Sequence, residues 1–498
     1  MLLLFVGFLV WSWGIADQSR QDRVIQTLAA AFLVLVLLLL WFLLASRAPW
    51  KWRVVALAIA VIGGFGVARF LTVTGVSGDL VPIIGLKSAG DALAGAAETG
   101  EIRASGRLTA AARGNYPQFL GPQRNASVAG VRLARDWQAV PPREIWRRDV
   151  GPAWSGFAIQ AGWAVTQEQH GEEEQVVAYE LATGHALWRH ADATRYETTI
   201  GGVGPRATPT IADGLVFALG AGGILNALDL ENGELVWSRN ILEEHGASNR
   251  DWGKSCSPLV VDNLVVASAG GPDNQSLVAY DRVSGELAWA AGTDTSSYSS
   301  PVLATLAGRE QILIRNQHSI TAHDPATGAM LWSEDWPGET PNVAVPLLLG
   351  DNRVLVSSGY GIGSKLYRVE ERDGVFETTV LWSSPRMKAK FTNLVEHDGY
   401  VYGLDDGVLA CLDPATGERR WKKGRYGHGQ IILAEDLLLV TTEKGEVILI
   451  EPNPEEFRVL GSMAPFEGKT WNPPALAGSL LLLRTDREAV LFELPVAG

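Results

Sequence analysis

Cysteine and positive charge are both scarce in this chain. Its 498 residues include only two cysteines, Cys256 and Cys411, which lie in separate parts of the sequence, so a disulfide is not expected. The 42 basic and 55 acidic residues give a formal net charge of −13, which argues against a nucleic-acid-binding surface. The eight histidines form neither a His-x-His nor a His-Glu-x-x-His pattern, so no metal site is predicted.

Charged residues make up only 19% of the chain, and much of the apolar excess lies at its start. Three apolar segments follow one another: Met1–Ala16, Val24–Ala45 and Val54–Val73. A helix of about 20 apolar residues spans a bilayer. We therefore predict a membrane anchor in residues 1–73 with two to three transmembrane helices. The first segment lacks the basic start and the small-residue cleavage site of a signal peptide, which favours a retained helix over a cleaved peptide or a mis-assigned start.

The charges of the loops predict the orientation. The loop Ser46–Arg53 carries three basic residues and no acidic one, which places it in the cytoplasm, although Arg20 and Arg23 would then lie outside. The rest of the chain would leave the inner membrane on the periplasmic side. Residues 74–114 are rich in small residues and are interpreted as a linker, with one short helix at Asp91–Glu98.

A tryptophan recurs at a nearly fixed position of a repeated sequence motif, which we call the Trp phrase. In Ala322–Trp332 the phrase reads as a small residue, any residue, Asp, two residues, Thr-Gly, three residues and Trp. The copies recur at intervals of roughly 40–50 residues, which indicates a repeat architecture. Five clear copies end at Trp188, Trp237, Trp289, Trp332 and Trp421, and two weaker ones end at Trp146 and Trp382.

Each repeat unit has the features of four short strands. Apolar runs of about five residues, such as Leu215–Leu219, are typical of buried strands. The Asp and the Thr-Gly pair favour a turn, so the repeated acids are interpreted as turn residues and not as acid–base catalysts. The tryptophan is interpreted as packing between neighbouring units. Four strands in each unit correspond to one blade of a β-propeller.

The number of units predicts an all-β fold, an eight-bladed β-propeller over residues 115–498, with seven blades as the alternative. The strand at Glu144–Arg147 comes before any complete unit, and the strand at Ala489–Leu494 ends the last one. We expect these two strands to pair, because closure of this kind removes exposed sheet edges. The run Glu172–Glu174 is interpreted as a solvated hairpin tip.

Polar clusters at the start of the predicted inner strands are the candidate site. If the repeats are equivalent, their cationic and aromatic side chains converge on one end of the channel and attract an anionic or planar ligand. The alternative interpretation is that they only cap strands and bind loops. The predicted ligand-binding residues are Arg206, Lys254, Tyr298, Lys390, His428, Lys469, Trp471 and Asn472.

The phrase of Ala322–Trp332 resembles the tryptophan-docking repeat of the pyrroloquinoline-quinone (PQQ)-type β-propellers, over roughly residues 115–495. That family includes quinoprotein alcohol dehydrogenases, the propeller lipoprotein of the outer-membrane protein assembly machine, and membrane-anchored bacterial proteins without assigned activity. The N-terminal helices make this chain most similar to the third group. The similar dehydrogenases use a vicinal disulfide over the cofactor, a Ca²⁺ site and an Asp base, and this chain has no adjacent cysteines.

Two hypotheses follow from the resemblance. The first is a membrane-anchored, extracytoplasmic binding or scaffold module whose partners are other envelope proteins or a small anionic ligand. The alternative is a PQQ-dependent quinoprotein dehydrogenase that passes electrons to the membrane, with PQQ held by Arg206, Lys254, Lys390 and Lys469. The sequence does not name the ligand, and it leaves the cofactor and the enzymatic activity open between these two hypotheses.

Overall fold

The computed structural model describes residues 1–16, 18–86, 102–104, 108, 114–338 and 340–497. The chain divides into two compact units, Met1–Ala96 and Ala97–Gly498. The predicted domain boundaries at residues 73 and 114 therefore remain predictions. The predicted helix at Asp91–Glu98 lies outside the described residues.

The first unit consists of apolar helices and one hairpin. Helix α1 (Leu2–Val10) continues into a π-helical turn, and it is followed by α2 (Arg20–Leu44) and α3 (Trp50–Phe70). By length and composition, α2 and α3 could each cross a membrane, whereas the first apolar segment forms a shorter helix. Strands β1 (Leu71–Val76) and β2 (Pro82–Leu86) pair after α3. The predicted number of two to three transmembrane helices fits these segments.

The second unit is built almost entirely of short strands. Its early strands are β3 (Arg103–Ala104), β4 (Ser127–Val128), β5 (Arg143–Asp149), β6 (Ala158–Gln160), β7 (Trp163–His170), β8 (Glu173–Glu180), β9 (Ala186–Asp192), β10 (Glu197–Thr198), β11 (Gly202–Val203), β12 (Thr210–Ala212), β13 (Leu215–Leu219), β14 (Ile224–Asp229) and β15 (Leu235–Asn240), followed by the short helix α4 (Ile241–Glu244). The middle strands are β16 (Leu259–Val261), β17 (Leu264–Gly271), β18 (Gln275–Asp281), β19 (Leu287–Ala291), β20 (Val302–Leu306), β21 (Arg309–Arg315), β22 (Ser319–His323), β23 (Met330–Asp335), β24 (Leu347–Leu349), β25 (Arg353–Ser358), β26 (Gly363–Arg372) and β27 (Val375–Ser384). The last strands are β28 (Val395–His397), β29 (Tyr400–Asp405), β30 (Val408–Asp413), β31 (Glu418–Arg425), β32 (Gln430–Ala434), β33 (Leu437–Thr441), β34 (Val447–Glu451), β35 (Arg458–Met463), β36 (Ala475–Ala477), β37 (Leu480–Arg484) and β38 (Glu488–Glu493).

These strands form eight sheets of four or five strands within the described residues. Six sheets are runs of four consecutive strands: β6–β9, β12–β15, β16–β19, β20–β23, β24–β27 and β28–β31. The seventh sheet consists of the run β32–β35 and the short β4, which pairs parallel with β32. The eighth has the order β3-β5-β38-β37-β36. The count of eight favours the eight-bladed prediction over seven blades.

The predicted closure between the two ends of the domain is confirmed. Strand β5 pairs antiparallel with β38, and Trp146 lies opposite Leu491. The eighth sheet therefore combines strands from the start and the end of the second unit.

Hydrogen bonds also join the inner strands of successive sheets into a closed ring. The step between the last and the first sheet is made by Asn472, whose side-chain amide donates to the carbonyls of Ala153 and Ser155 at 3.0 and 2.9 Å. The other steps are Ser155 Oγ to Ala207 O, Thr208 N to Ser257 Oγ, Ser257 N to Ser300 Oγ, Ser299 Oγ to Ala344 O, Val345 N to Asn393 Oδ1, and Gln430 Nε2 to Phe391 O and to Trp471 O. All eight sheets follow one another around one ring.

Six of the seven repeated tryptophans donate their indole N–H to a carbonyl of the next repeat, which agrees with the predicted packing between units, whereas Trp332 donates to Gln311 Oε1 of its own sheet. The Trp188 indole N–H donates to Leu230 O in the next repeat at 2.8 Å, and Gly233 of that repeat packs on the ring. Gly233 has a φ of +73°, and a Cβ there would lie 2.5 Å from the Trp188 side chain, so the position requires glycine on both counts. Asp229 accepts hydrogen bonds from the N–H groups of Glu231 and Asn232, which confirms the turn role of the repeated acid.

One prediction for this unit is wrong in part. Glu172 and Glu173 are exposed at the tip of the β7–β8 hairpin, but Glu174 is only 4% exposed. Its side chain reaches the next sheet, where Oε2 accepts a hydrogen bond from Ala221 N, between β13 and β14, at 3.0 Å. Adjacent residues of a strand point to opposite faces, so a run of three acids cannot all be solvated once its sheet is covered on one face.

Candidate functional site

Aromatic rings and ammonium groups from several sheets meet at the start of the inner strands. The rings of Trp154 and Trp471 lie 5.1 Å apart, and Phe391 lies 5.3 Å from Trp471. Lys469 places its Nζ 4.4 Å from the Trp154 ring and 4.1 Å from the Trp471 ring. With Lys390, these residues form what we call the aromatic–cation cluster: Trp154, Lys390, Phe391, Lys469 and Trp471.

Residues of two further sheets border this cluster. The Lys390 ammonium lies 4.6 Å from the ring of Tyr360 and 5.3 Å from that of Phe391. The buried His428 ring lies 5.5 Å from Phe391. Two predicted residues, Lys390 and His428, thus share one aromatic neighbour. Cation–ring contacts of this kind are electrostatically favourable and hold the ammonium groups in place.

Arg206 joins the cluster through the backbone. Its guanidinium donates to Gly201 O at 2.8 Å, and the same carbonyl accepts the indole N–H of Trp154 at 2.8 Å. The guanidinium also lies 4.7 Å from the Tyr196 ring, and burial lowers the pKa of Arg206 to about 10. Arg206 is therefore fixed beside Trp154, although much of its hydrogen-bonding capacity is already used.

Tyr298 lies in a second aromatic contact of the inner strands. Its ring packs edge-on against Trp252 at 5.4 Å, and its hydroxyl accepts a hydrogen bond from Trp252 N at 3.4 Å. Arg250 lies 6.0 Å from the Tyr298 ring. Burial raises the pKa of Tyr298 above its ordinary value, so this residue is a neutral hydroxyl at physiological pH.

Two predicted ligand-binding residues hold the protein backbone instead. Lys254 is 3% exposed, and its ammonium donates to Ser268 O at 3.1 Å, Ala269 O at 2.5 Å and Ser296 Oγ at 2.9 Å. These bonds use all three N–H donors of the ammonium group. Asn472, 2% exposed, closes the ring of sheets as described above. Burial of these groups is expected because the ammonium of Lys254 and the amide N–H groups of Asn472 find acceptors within the protein.

The sequence prediction did not include an acidic member of the site. Glu443 accepts a hydrogen bond from the Trp471 indole N–H at 2.9 Å and one from His428 N at 3.2 Å. Burial lowers the pKa of Lys469, and the carboxylates of Asp486 and Glu443 oppose this shift in part. Glu443 lies in the turn after β33, where the repeat has no distinctive pattern, so no sequence signal pointed to it. Trp154 and Phe391 were visible beside predicted polar residues, but only the packing identifies them as part of the site.

The arrangement suits a small anionic group or an acidic side chain better than it suits PQQ. Cations beside aromatic faces provide charge and apolar contact together. A flat tricyclic cofactor needs a slot between ring faces, whereas Trp471 packs directly against Trp154 and Phe391. Of the four cations assigned to PQQ by the dehydrogenase hypothesis, Lys254 donates all its N–H groups to the protein, and Arg206 donates to three backbone carbonyls. Lys254 and Arg206 therefore do not fit the PQQ-binding role that the dehydrogenase hypothesis assigns to them.

Comparison with solved structures shows the fold. The chain matches BamB from Moraxella catarrhalis with a TM-score of 0.52 at 15% identity, covering 72% of this chain and 99% of that one. A europium-containing methanol dehydrogenase matches with a TM-score of 0.58 at 12% identity, covering 76% of this chain and 98% of that one. A quinohemoprotein alcohol dehydrogenase from Comamonas testosteroni matches with a TM-score of 0.52 at 13% identity, covering 78% of this chain and 82% of that one. At these identities the likeness concerns the fold and not the activity.

Sequence comparison gives the family. Outer membrane protein assembly factor BamB of Moranella endobia is 24% identical over 260 residues, covering 49% of this chain and 63% of that protein. The protein of the same name from Salmonella typhimurium is 25% identical over 278 residues, covering 52% of this chain and 67% of that protein. The match therefore spans less than two thirds of the first relative's length. The family model described as outer membrane protein assembly factor BamB matches residues 88–271 and 172–423, and the chain belongs to this family of PQQ-type repeat propellers.

Proposed function

We propose that this protein is a membrane-anchored scaffold module that binds other envelope proteins on the extracytoplasmic side. The observation that carries the proposal is the use of the polar side chains at the inner strands. The Lys254 ammonium and the Asn472 amide donate their hydrogen bonds within the protein and not to a ligand. The ring of hydrogen bonds between the inner strands fixes the eight sheets into one rigid body. A rigid disc with fixed loops is suited to presenting binding surfaces.

Family membership supports the same proposal. The relatives that match by sequence carry the name of an assembly factor, whereas the dehydrogenases resemble the chain in fold alone. The two apolar helices α2 and α3 support membrane anchoring. We place the anchor in the inner membrane and the propeller in the periplasm, on the basis of the basic loop Ser46–Arg53.

The aromatic–cation cluster is the proposed ligand site of the module. Lys390 and Lys469 would contact a carboxylate or phosphate group, and Trp154 and Trp471 would contact its apolar part. Heat-stability measurements with citrate, phosphate and a short acidic peptide, each added to the full-length protein, test this site. We expect a rise in the unfolding temperature that is lost in Lys390→Ala and Lys469→Ala. An equal rise in both variants would contradict the assignment.

Addition of PQQ and Ca²⁺ tests the scaffold function against the dehydrogenase alternative. The purified full-length protein, saturated with both, is assayed for heat stability and for dye reduction with alcohols and sugars. The scaffold function predicts no dye reduction above the protein-free control. Dye reduction with many turnovers per protein, dependent on added PQQ, would overturn it.

A further inference from the structure

Strand β31 is the basic edge of an otherwise acidic protein. Five of its eight residues are Arg or Lys, and it is the outermost strand of its sheet among the described residues. An outermost strand presents unpaired backbone N–H and C=O groups, which can pair with another strand. The basic residues are Arg419, Arg420, Lys422, Lys423 and Arg425.

A buried carboxylate organises part of this charge. Asp405 is fully buried, and Lys422 Nζ lies 2.8 Å from it, Lys388 Nζ 3.6 Å and Arg419 Nη1 3.7 Å. Three cations thus surround one carboxylate. Arg420 forms a further ion pair with Glu455, and Lys423 and Arg425 are exposed on the same strand. Side chains that are already held in place lose less conformational freedom when a ligand binds.

The chain itself shows that an edge of this kind accepts an added strand. Strand β3 pairs antiparallel with β5 on the outer side of the eighth sheet, with Ala104 opposite Trp146. Strand β5 holds the same place in its sheet as β31 does, since Trp146 pairs with Leu491 as Trp421 pairs with Cys411. The outer edge next to a repeated tryptophan is therefore geometrically able to take a further antiparallel strand.

Charge decides what kind of strand fits. Two copies of β31 would bring like charges opposite each other, which is destabilising, so a second copy of this chain is disfavoured. An extended segment with acidic residues would gain backbone hydrogen bonds and ion pairs together. We propose that β31 is a docking edge for an extended, acidic segment of a partner protein, which adds to the sheet as a fifth strand. This inference rests on the proposed scaffold function and names the chemistry of one partner.

A synthetic peptide of about eight residues, with Glu alternating with Val and Thr, is the probe. Binding to the full-length protein in detergent is measured by fluorescence anisotropy. We expect Lys423→Glu/Arg425→Glu to weaken binding by about tenfold or more, because both exposed charges reverse. The matched control is Arg189→Glu/Arg487→Glu, which makes the same charge change at exposed positions of two other sheets and should leave binding unchanged.

A second peptide separates strand addition from simple charge attraction. The same sequence with alternate backbone nitrogens methylated keeps its charge and loses the N–H groups along one edge. We expect this peptide to bind at least about tenfold more weakly. The inference is overturned if neither peptide binds, if the methylated peptide binds as well as the parent, or if both double variants bind alike. These binding results do not depend on PQQ. A failure of the docking edge is therefore distinguishable from a failure of the scaffold function, which would appear as PQQ-dependent dye reduction.

Discussion

Trp146 and Leu491 lie opposite each other in one antiparallel strand pair, although they come from the two ends of the propeller unit. Both side chains are buried, at 1% and 0% exposure. The Trp146 indole N–H also donates to Leu181 O of the first complete repeat at 2.8 Å. One residue therefore closes the eighth sheet and docks it against the first.

Replacement of Trp146 should destabilise the whole propeller unit. We expect Trp146→Ala to lower the free energy of unfolding by about 3–5 kcal/mol, because it leaves a large cavity at the closure point. Denaturant unfolding followed by circular dichroism measures the change. Val140→Ala, at a residue that is 54% exposed, is the control and should have little effect. A loss below about 1 kcal/mol for Trp146→Ala would show that this contact does not hold the ring closed.

Glu174 predicts a pH dependence of stability. Burial raises the pKa of this carboxyl to about 7, so the folded state holds a proton that the unfolded state releases near its ordinary pKa. The stability contributed by the bound proton is complete below about pH 4.5 and is lost as the pH rises through about 7. Relative to wild type, Glu174→Gln should therefore gain stability between these pH values, by on the order of 3 kcal/mol at pH 8.

Heat unfolding of the two proteins from pH 4 to pH 8 measures this difference. Glu172→Gln changes an exposed neighbour in the same hairpin and should follow the wild-type curve. Parallel curves for wild type and Glu174→Gln would mean that Glu174 titrates normally and that its burial costs nothing.

The two cysteines should be unreactive in the folded protein. Cys256 and Cys411 are free thiols with 1% and 0% exposure, and burial raises the pKa of both thiols, that of Cys411 to about 11. Reactive thiols are exposed and have a low pKa, and these have neither property. Titration with a thiol reagent should count no thiol in the native protein and two after unfolding in denaturant without reductant. A count of none after unfolding would reveal a disulfide.

The proposed orientation predicts which cysteine reporters can be labelled from outside. Arg47→Cys lies in the basic loop, and Ser284→Cys lies in an exposed turn of the propeller unit. In intact spheroplasts, a membrane-impermeant maleimide should label Ser284→Cys and should label Arg47→Cys only after permeabilisation. The opposite pattern would place the propeller in the cytoplasm.

The sequence was sufficient to predict the sheets and their closure. The Trp phrase marks the last strand of most units, and Trp146 without a preceding unit predicts the pairing with Ala489–Leu494. The short additions β3 and β4 could not be predicted, because two-residue strands have no periodicity.

The candidate site was predictable only in part. Lys390 and Lys469 meet aromatic rings, as the repeat suggested, but Lys254 at a comparable place binds backbone carbonyls. Residue type and spacing do not set the direction of a long side chain at a strand end, since a shift of one residue moves it to the other face. The burial of Glu174 was missed for the same reason.

Photo-crosslinking in living cells tests the scaffold function most directly. A photoreactive amino acid is placed singly at Leu187, Leu287 and Met330, which are exposed apolar residues of three outer strands, at 49%, 50% and 57% exposure. At these positions the photoreactive group lies at the surface of three different sheets and leaves the core intact. The scaffold function predicts that irradiation yields adducts of defined mass with another envelope protein at one or more of these positions. Absence of any adduct at all three positions, with the protein folded and in the membrane, would contradict it.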